Sequence, residues 1–334
     1  MRSVLLAALL GFSLAGAAAC ESEYERALAL FAYDRAGPLD IEVSRIDTLA
    51  VYGARIEHLS YPSPVAGRVT ALLVLPAGAA PTPAGEKLAG GGAVGGDTTR
   101  KYAGIVFLHW GQGDQSEFVS EALQYARSGG ISILLDAPWA RPEPWTQPGE
   151  SYSDPAATRQ MYIQNIKDLR RGVDLLLARG DIDARRLAYI GHSFGATQGG
   201  VLAGVEKRIA TFILIAGLPS LVDFSATGAR KLEELNKSVL QYLSKDQVDK
   251  YVAAISPLTP TNFVGHSSPS SVLMQFATYD SWIPRLSAER FFAAAGEPKQ
   301  IKWYVTSHEF NDPQALADRA RWLEREIGLR PPPD

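Results

Sequence analysis

The fold is decided by the stretch Leu187-Ala188-Tyr189-Ile190-Gly191-His192-Ser193-Phe194-Gly195-Ala196. Its first four residues are apolar without polar alternation, which is typical of a strand buried on both faces of a sheet. Near the end of the stretch, a predicted helix begins that runs from Phe194 to Glu206 and is rich in small residues. A serine at such a strand–turn–helix junction, with a glycine two positions to either side, has the pattern of a nucleophile elbow. The turn exposes the hydroxyl beside the positive end of the helix dipole, so the stretch predicts Ser193 as a nucleophile.

Apolar strands and helices alternate on both sides of this serine. The other predicted strands of this kind are 105–108, 131–135, 211–215, 271–277 and 301–305, and the other helices are 117–128, 158–179, 286–295 and 314–327. This alternation predicts an α/β fold, with a mostly parallel central sheet and helices on both faces. Segments 41–44, 54–59 and 67–75 instead alternate with a period of two, which predicts antiparallel amino-terminal strands along one edge.

Two segments interrupt the alternation. Residues 77–100 contain Pro81, Pro83 and two glycine clusters, so we expect a flexible surface loop. Residues 221–262 are predicted to be a helical insertion that includes one amphipathic helix, Lys231 to Lys250. Such an insertion either covers a site as a lid or packs over the edge of the sheet, and the sequence leaves both open. The expected core domain spans residues 41–330.

Composition excludes several classes of protein. The chain has 334 residues, with 33 Lys plus Arg against 36 Asp plus Glu, for a net charge of -3. Without a basic excess to neutralise phosphates, we expect no nucleic-acid partner. The single cysteine, Cys20, excludes an internal disulfide and a four-thiolate metal site.

The amino end has the pattern of an export signal. Arg2 precedes a short apolar run, and small residues follow up to Ala19, which predicts a signal peptide over residues 1–19. Ala17-Ala18-Ala19-Cys20 resembles the lipobox of bacterial lipoproteins, in which the cysteine carries the lipid. We therefore expect a protein of the bacterial cell envelope, tethered to a membrane through lipidated Cys20 or otherwise periplasmic or secreted, with residues 20–40 as an amino-terminal segment.

The elbow pattern and the alternation of strands and helices around it give the mature chain its resemblance to a known family. It resembles an α/β-hydrolase of the dienelactone hydrolase and acyl-peptidase-like branch. The serine needs a base within hydrogen-bond reach, and the chain has five histidines: His58, His109, His192, His266 and His308. His308 alone follows a late strand, where this fold places its histidine. His192 abuts the serine, but the sharp turn should aim it elsewhere.

A carboxylate must orient that histidine and stabilise its charged form. Asp280 follows the strand 271–277 and precedes Ile283-Pro284, which resembles the acid loop of the family. The order Ser193, Asp280, His308 is the one expected for this fold. Asp223, after the preceding strand, is the rival acid.

Preorganised N–H groups must meet the oxyanion that forms on attack. The resemblance implies the backbone N–H of Phe194 and one from the loop His109-Trp110-Gly111-Gln112-Gly113. Gly111 is the expected donor by position, with Trp110 as the alternative, because relatives usually carry a glycine where Trp110 stands. Trp110, Trp139 and Trp282 lie near the same predicted edge and are candidates for lining a substrate pocket, although core packing explains each of them equally well.

The resemblance implies a serine hydrolase that cleaves small-molecule carboxylic esters through an acyl-enzyme, with no metal and no organic cofactor. An acyl-peptidase or amidase would use the same triad, and a catalytically silent binding protein could share the scaffold.

Overall fold

A nine-stranded sheet crosses the part of the protein that this computed structural model describes, residues 23–82 and 101–330. The strand order is β1-β2-β3-β5-β4-β6-β7-β8-β9. The strands are β1 (Glu42–Leu49), β2 (Ala54–Pro62), β3 (Arg68–Pro76), β4 (Tyr102–Leu108), β5 (Gly130–Leu135), β6 (Ile182–His192), β7 (Thr211–Ile215), β8 (Ser271–Ala277) and β9 (Lys299–Tyr304). Strands β1 to β3 pair antiparallel with one another and β3 pairs antiparallel with β5, whereas the pairs from β5 to β9 are parallel. The predicted mostly parallel sheet with an antiparallel amino-terminal edge is confirmed.

Helices surround this sheet. They are α1 (Glu23–Leu28), α2 (Val119–Arg127), α3 (Pro155–Ala178), α4 (Phe194–Val205), α5 (Arg230–Tyr242), α6 (Lys245–Ile255), α7 (Arg285–Ala294) and α8 (Pro313–Ile327). Aspartates begin two of them: Asp154 accepts a hydrogen bond from Ala157 N at 3.0 Å, and Asp312 accepts one from Ala315 N at 3.0 Å. Each satisfies an N–H group that a helix start leaves without a partner.

The central strands are apolar because they are covered on both faces. Every residue of β4, β5, β7 and β8 is buried. Parallel pairing sets Leu108 of β4 opposite Gly191 of β6, and His192 opposite Ile215 of β7. The carboxyl ends of these strands therefore meet at one edge of the sheet, where ligands bind in open α/β folds.

The prediction of one amphipathic helix over Lys231 to Lys250 is wrong. The chain forms two helices there, α5 and α6, with Ser244 at the break. The Ser244 hydroxyl accepts from Gln247 N at 3.3 Å, and the Gln247 side chain accepts from Ser244 N at 2.9 Å. This reciprocal pair is a capping box, a signature of a helix start that the apolar spacing of the segment conceals.

Several predictions lie outside the described residues. They are the signal peptide at 1–19, Cys20 with its lipid, and most of the loop 77–100, of which residues 77–82 are described. In the part of the chain that is described, no helix combines the length and the apolar character that crossing a membrane requires.

Candidate active site

The turn between β6 and α4 holds Ser193 in a strained backbone conformation, with φ at 51° and ψ at -107°. Ser193 N donates to Ile215 O at 2.7 Å, which fastens the turn to β7. A methyl group on Gly191 would overlap the backbone of Gly195, and one on Gly195 would overlap the carbonyl oxygen of Leu108. Both glycines are therefore required by the close approach of backbone segments, as the elbow pattern predicts.

The structure brings Ser193, His308 and Asp280 together. His308 Nε2 lies 2.9 Å from Ser193 Oγ, and His308 Nδ1 lies 3.0 Å and 2.9 Å from the two carboxylate oxygens of Asp280. The His308 and Asp280 side chains are 3% and 1% exposed, so water competes little for these contacts. Because Asp280 can only accept when ionised, it holds the Nδ1–H form of His308 and leaves Nε2 to take the serine proton.

Asp280 is itself held in place by its loop. Its Oδ1 accepts from Trp282 N at 2.8 Å and from Ile283 N at 2.9 Å. The rival acid Asp223 does not contact His308. Its carboxylate accepts from Ser225 Oγ at 2.7 Å and lies 3.5 Å from Arg290.

Three of the other histidines have partners away from Ser193. His58 contacts Asp47 at 2.7 Å in the edge strands, and His266 stacks on Tyr24 with ring centroids 3.6 Å apart. His109 Nε2 accepts from Ala137 N at 3.0 Å, which places its hydrogen on Nδ1, 2.5 Å from Trp110 O. Burial lowers the pKa of His109 and favours this neutral form. His109 thus shapes the loop that carries Gly111.

The two expected oxyanion donors lie in one cavity with Ser193. Among the residues that the structure describes, no acceptor is found for the N–H group of Gly111 or Phe194. The alternative donor is occupied, since Trp110 N donates to Glu117 Oε2 at 2.7 Å. The two candidate N–H groups are therefore available to an oxyanion formed beside Ser193.

Sequence reasoning missed a pair of side chains that joins three loops of the site. Glu117 Oε1 lies 2.6 Å from His192 Nδ1, and its Oε2 binds Trp110 N. His192 Nε2 donates to the carbonyl oxygen of His308 at 2.8 Å. The pair ties the oxyanion loop and the elbow to the loop of the catalytic histidine. The turn does aim His192 away from Ser193, but the spacing of 75 residues between Glu117 and His192 gives no sequence signal for their contact.

The cavity at Ser193 has a volume of about 230 Å³. Its described lining consists of Trp110, Gly111, Gln112, Glu150, Tyr162, Ser193, Phe194, Thr197, Leu218, Leu221, Trp282 and His308. Trp110 and Trp282 line it as expected. Trp139 is not among the described lining residues of this cavity. It packs edge-on against Phe194 with ring centroids 4.6 Å apart, and so contacts the first residue after the elbow serine.

Glu150 is the charged carboxylate of the described lining, and the sequence did not indicate its place in the cavity. It lies in the irregular segment between β5 and α3, where no periodicity identifies an inward-facing side chain. Removal of water from around its carboxylate raises the pKa of Glu150 above the usual value, although hydrogen bonds from Tyr251 and Tyr162 oppose this shift. Within residues 23–82 and 101–330, no group of three or more His, Cys, Asp or Glu residues is placed to hold a metal ion.

The sheet order, the elbow and the Ser–His–Asp geometry define the protein as an α/β-hydrolase of the serine hydrolase type. Comparison with protein families narrows the assignment. The sequence profile of the prolyl oligopeptidase family matches residues 146–326, more than half of the chain, and the protein belongs to that family. A search of curated proteins found no match.

Solved structures share the fold at low sequence identity. An acetyl xylan esterase from Paenibacillus sp. R4 superposes with a TM-score of 0.69 at 18% identity, covering 91% of this chain and 93% of its own. Acetyl xylan esterase 1 from Thermoanaerobacterium sp. JW/SL YS485 gives 0.66 at 14% identity, covering 91% and 92%. A puromycin-hydrolyzing peptidase from Mycobacterium tuberculosis gives 0.61 at 17% identity, covering 86% of this chain and 41% of its own. These likenesses support the α/β-hydrolase fold.

Proposed function

We propose that this protein hydrolyses small carboxylic esters through an acyl-enzyme formed on Ser193. The observation that carries the proposal is the 2.9 Å contact between His308 Nε2 and Ser193 Oγ, with Asp280 on the other ring nitrogen. Both contacts fall within the range in which a nucleophile and its base exchange a proton. The neighbouring cavity gives an ester access to the serine.

Each step uses a group already placed in the site. Ser193 Oγ attacks the ester carbonyl while His308 Nε2 takes its proton, and the N–H groups of Gly111 and Phe194 bind the resulting oxyanion. His308 then gives that proton to the departing alcohol, which leaves the acyl group on Ser193. Water then attacks the acyl-enzyme while His308 Nε2 takes its proton. Collapse of the second oxyanion breaks the bond to Ser193 Oγ, returns that proton to the serine and releases the acid.

Two considerations favour esters. An alcohol is a better leaving group than an amine, so an ester makes a smaller demand on the triad than an amide does. The cavity of about 230 Å³ is also small beside the ~300–1,000 Å³ of common ligand sites, which favours a compact substrate.

Amide or peptide hydrolysis is the second candidate, favoured by membership of the prolyl oligopeptidase family. The triad serves both reactions, because an amide also passes through a tetrahedral oxyanion. A panel of p-nitrophenyl esters of graded acyl length, set against aminoacyl p-nitroanilides, tests the choice. We expect kcat/KM to favour esters; a clear preference for the anilides would replace the ester proposal.

A fluorophosphonate probe tests the covalent step itself. We expect the wild-type protein to be labelled and Ser193→Ala to be unlabelled, with equal melting temperatures showing that the variant is folded. A folded wild-type protein that resists labelling would contradict the enzyme proposal and favour a binding protein on this scaffold.

A further inference from the structure

A second cavity of about 100 Å³, beside α5, adjoins the Ser193 cavity. Four residues belong to the walls of both cavities, Glu150, Tyr162, Leu218 and Leu221. Glu150 therefore lies where a substrate held at Ser193 would extend beyond its scissile bond.

The negative charge of Glu150 has no positive partner in these walls. No Lys or Arg is among the described residues that line either cavity, and Glu150 forms no ion pair within the described part of the chain. Lys231 is a cation nearby, with its Nζ 5.5 Å from the centroid of the Trp282 ring, but it lines neither cavity. Asp223, in the wall of the second cavity, already faces Arg290 at 3.5 Å. The substrate cavity thus carries an uncompensated negative charge.

Neutral tyrosines hold the carboxylate in position. The Tyr251 hydroxyl donates to Glu150 Oε1, and the Tyr162 hydroxyl also faces the carboxylate. Tyr251 and Tyr162 are fully buried. These contacts orient Glu150 without neutralising it, which leaves its charge available to a ligand.

The rest of the lining suits a cation. Trp110, Trp282 and Tyr162 line the Ser193 cavity with aromatic side chains, and aromatic rings attract alkylammonium groups. Removal of water from around the carboxylate raises the pKa of Glu150 and so disfavours its ionised form. A bound ammonium would stabilise the ionised form, so the cavity and a cationic ligand are electrostatically complementary.

We propose that Glu150 and the aromatic walls of the Ser193 cavity form a subsite for a monovalent alkylammonium group, carried by the acyl or the alcohol part of the substrate. The proposal deepens the ester function and rests on it for the identity of the scissile bond. The ammonium subsite itself is open to measurement without turnover.

Binding is tested with an isosteric pair that differs in charge. Choline and 3,3-dimethylbutan-1-ol are titrated calorimetrically into the Ser193→Ala protein, which removes turnover from the measurement. We expect choline to bind about tenfold more tightly, the combined effect of a charge contact and a cation–π contact in a partly solvated site. Adding Glu150→Gln should bring the ratio of the two affinities close to one. Adding Glu143→Gln, which removes the same charge from an exposed residue that lines neither cavity, should leave the ratio unchanged.

Turnover is tested with matched esters. Acetylcholine and 3,3-dimethylbutyl acetate place the charge on the alcohol, and the p-nitrophenyl esters of γ-trimethylammoniobutyrate and 5,5-dimethylhexanoate place it on the acyl group. We expect at least one cationic ester to exceed its neutral partner about tenfold in kcat/KM, and the excess to vanish in Glu150→Gln.

The outcomes separate the two proposals. Equal affinities for the two alcohols, or a choline preference that survives Glu150→Gln, would overturn the ammonium subsite even if neutral esters are hydrolysed. A Glu150-dependent choline preference without turnover of any ester would support the subsite and overturn the ester function.

Discussion

Glu117 holds the oxyanion loop and His192 at the same time, so removing its side chain should slow the chemical step. Glu117→Ala takes the acceptor from Trp110 N and from His192 Nδ1, which lie 2.7 Å and 2.6 Å from the carboxylate. A hydrogen bond to a charged group contributes about 1.5–3 kcal/mol. The Glu117 side chain is 20% exposed, so water can replace part of the lost hydrogen bonding. We therefore estimate the combined loss from both hydrogen bonds at about 2–3 kcal/mol. At about 1.4 kcal/mol per tenfold, the expected loss in kcat/KM is roughly 30- to 140-fold.

Glu117→Gln should restore most of that loss. The amide oxygen can accept from Trp110 N while the amide NH2 group donates to His192 Nδ1. With the amide donating to Nδ1, the ring keeps its hydrogen on Nε2, and the 2.8 Å bond to the His308 carbonyl is kept. We expect Glu117→Gln to lie within about fivefold of the wild type, because only the charge of the contact is lost.

The assay is kcat/KM on a p-nitrophenyl ester, together with the rate of fluorophosphonate labelling, since both report the formation of the bond to Ser193. Melting temperatures exclude global unfolding as the cause of a loss. Glu117→Ala within threefold of the wild type would refute the positioning role. Equal losses in the Ala and Gln variants would show that the charge matters and that the hydrogen bonds do not.

Three further changes test the elbow, the triad and a buried carboxylate. Gly195→Ala should destabilise the fold by at least about 2 kcal/mol in urea unfolding, because its methyl group would overlap the Leu108 carbonyl oxygen; unchanged stability would contradict the close approach. Asp280→Asn should lower kcat/KM on the order of 10³–10⁴-fold with little change in KM, because the amide can hold His308 in the wrong tautomer; full activity would return Asp223 as a candidate. Burial raises the pKa of Asp136 to about 6, so its ionisation opposes folding, and the stability it contributes at low pH is lost as pH rises from about 4 through about 6. Asp136→Asn should therefore raise the free energy of unfolding at pH 8 by up to about 3 kcal/mol and leave it nearly unchanged at pH 4; an equal effect at both pH values would exclude titration of Asp136 as the cause.

The predictions that the structure matches rest on signals confined to short stretches of chain. A buried parallel strand is apolar throughout, and the elbow needs glycines at fixed offsets from Ser193, so both can be read from residues 187–196. Asp280 follows the buried strand β8 and His308 follows the partly buried edge strand β9, and parallel pairing brings the ends of the two strands to the same edge. Their meeting follows from topology once the strands are identified.

The features that sequence reasoning missed depend on contacts between residues that are far apart in the chain. Glu150 meets Tyr251 across 101 residues, and Glu117 meets His192 across 75. Neither contact follows from periodicity, because Glu150 and Glu117 lie in irregular segments outside the helices and strands. Trp139 is an example of the opposite error, a predicted contact that the structure lacks. Its position near the correct edge of the sheet predicted a role in the pocket, but its side chain packs against Phe194 and does not line the cavity.

The proposed catalytic groups and part of the proposed substrate cavity have separate structural origins. The triad and the oxyanion donors are fixed by strand ends and one strained turn, which the fold itself supplies. Part of the cavity wall has another origin: Glu150 comes from the segment before α3, and Leu218 and Leu221 come from the insertion between β7 and β8. Helix α6 of that insertion contacts Glu150 through Tyr251. Helix α5 buries Leu232, Asn236 and Val239, and α6 buries Tyr251 and Ile255. If the insertion acts as a lid, displacement of α6 would break the Tyr251 contact that orients Glu150.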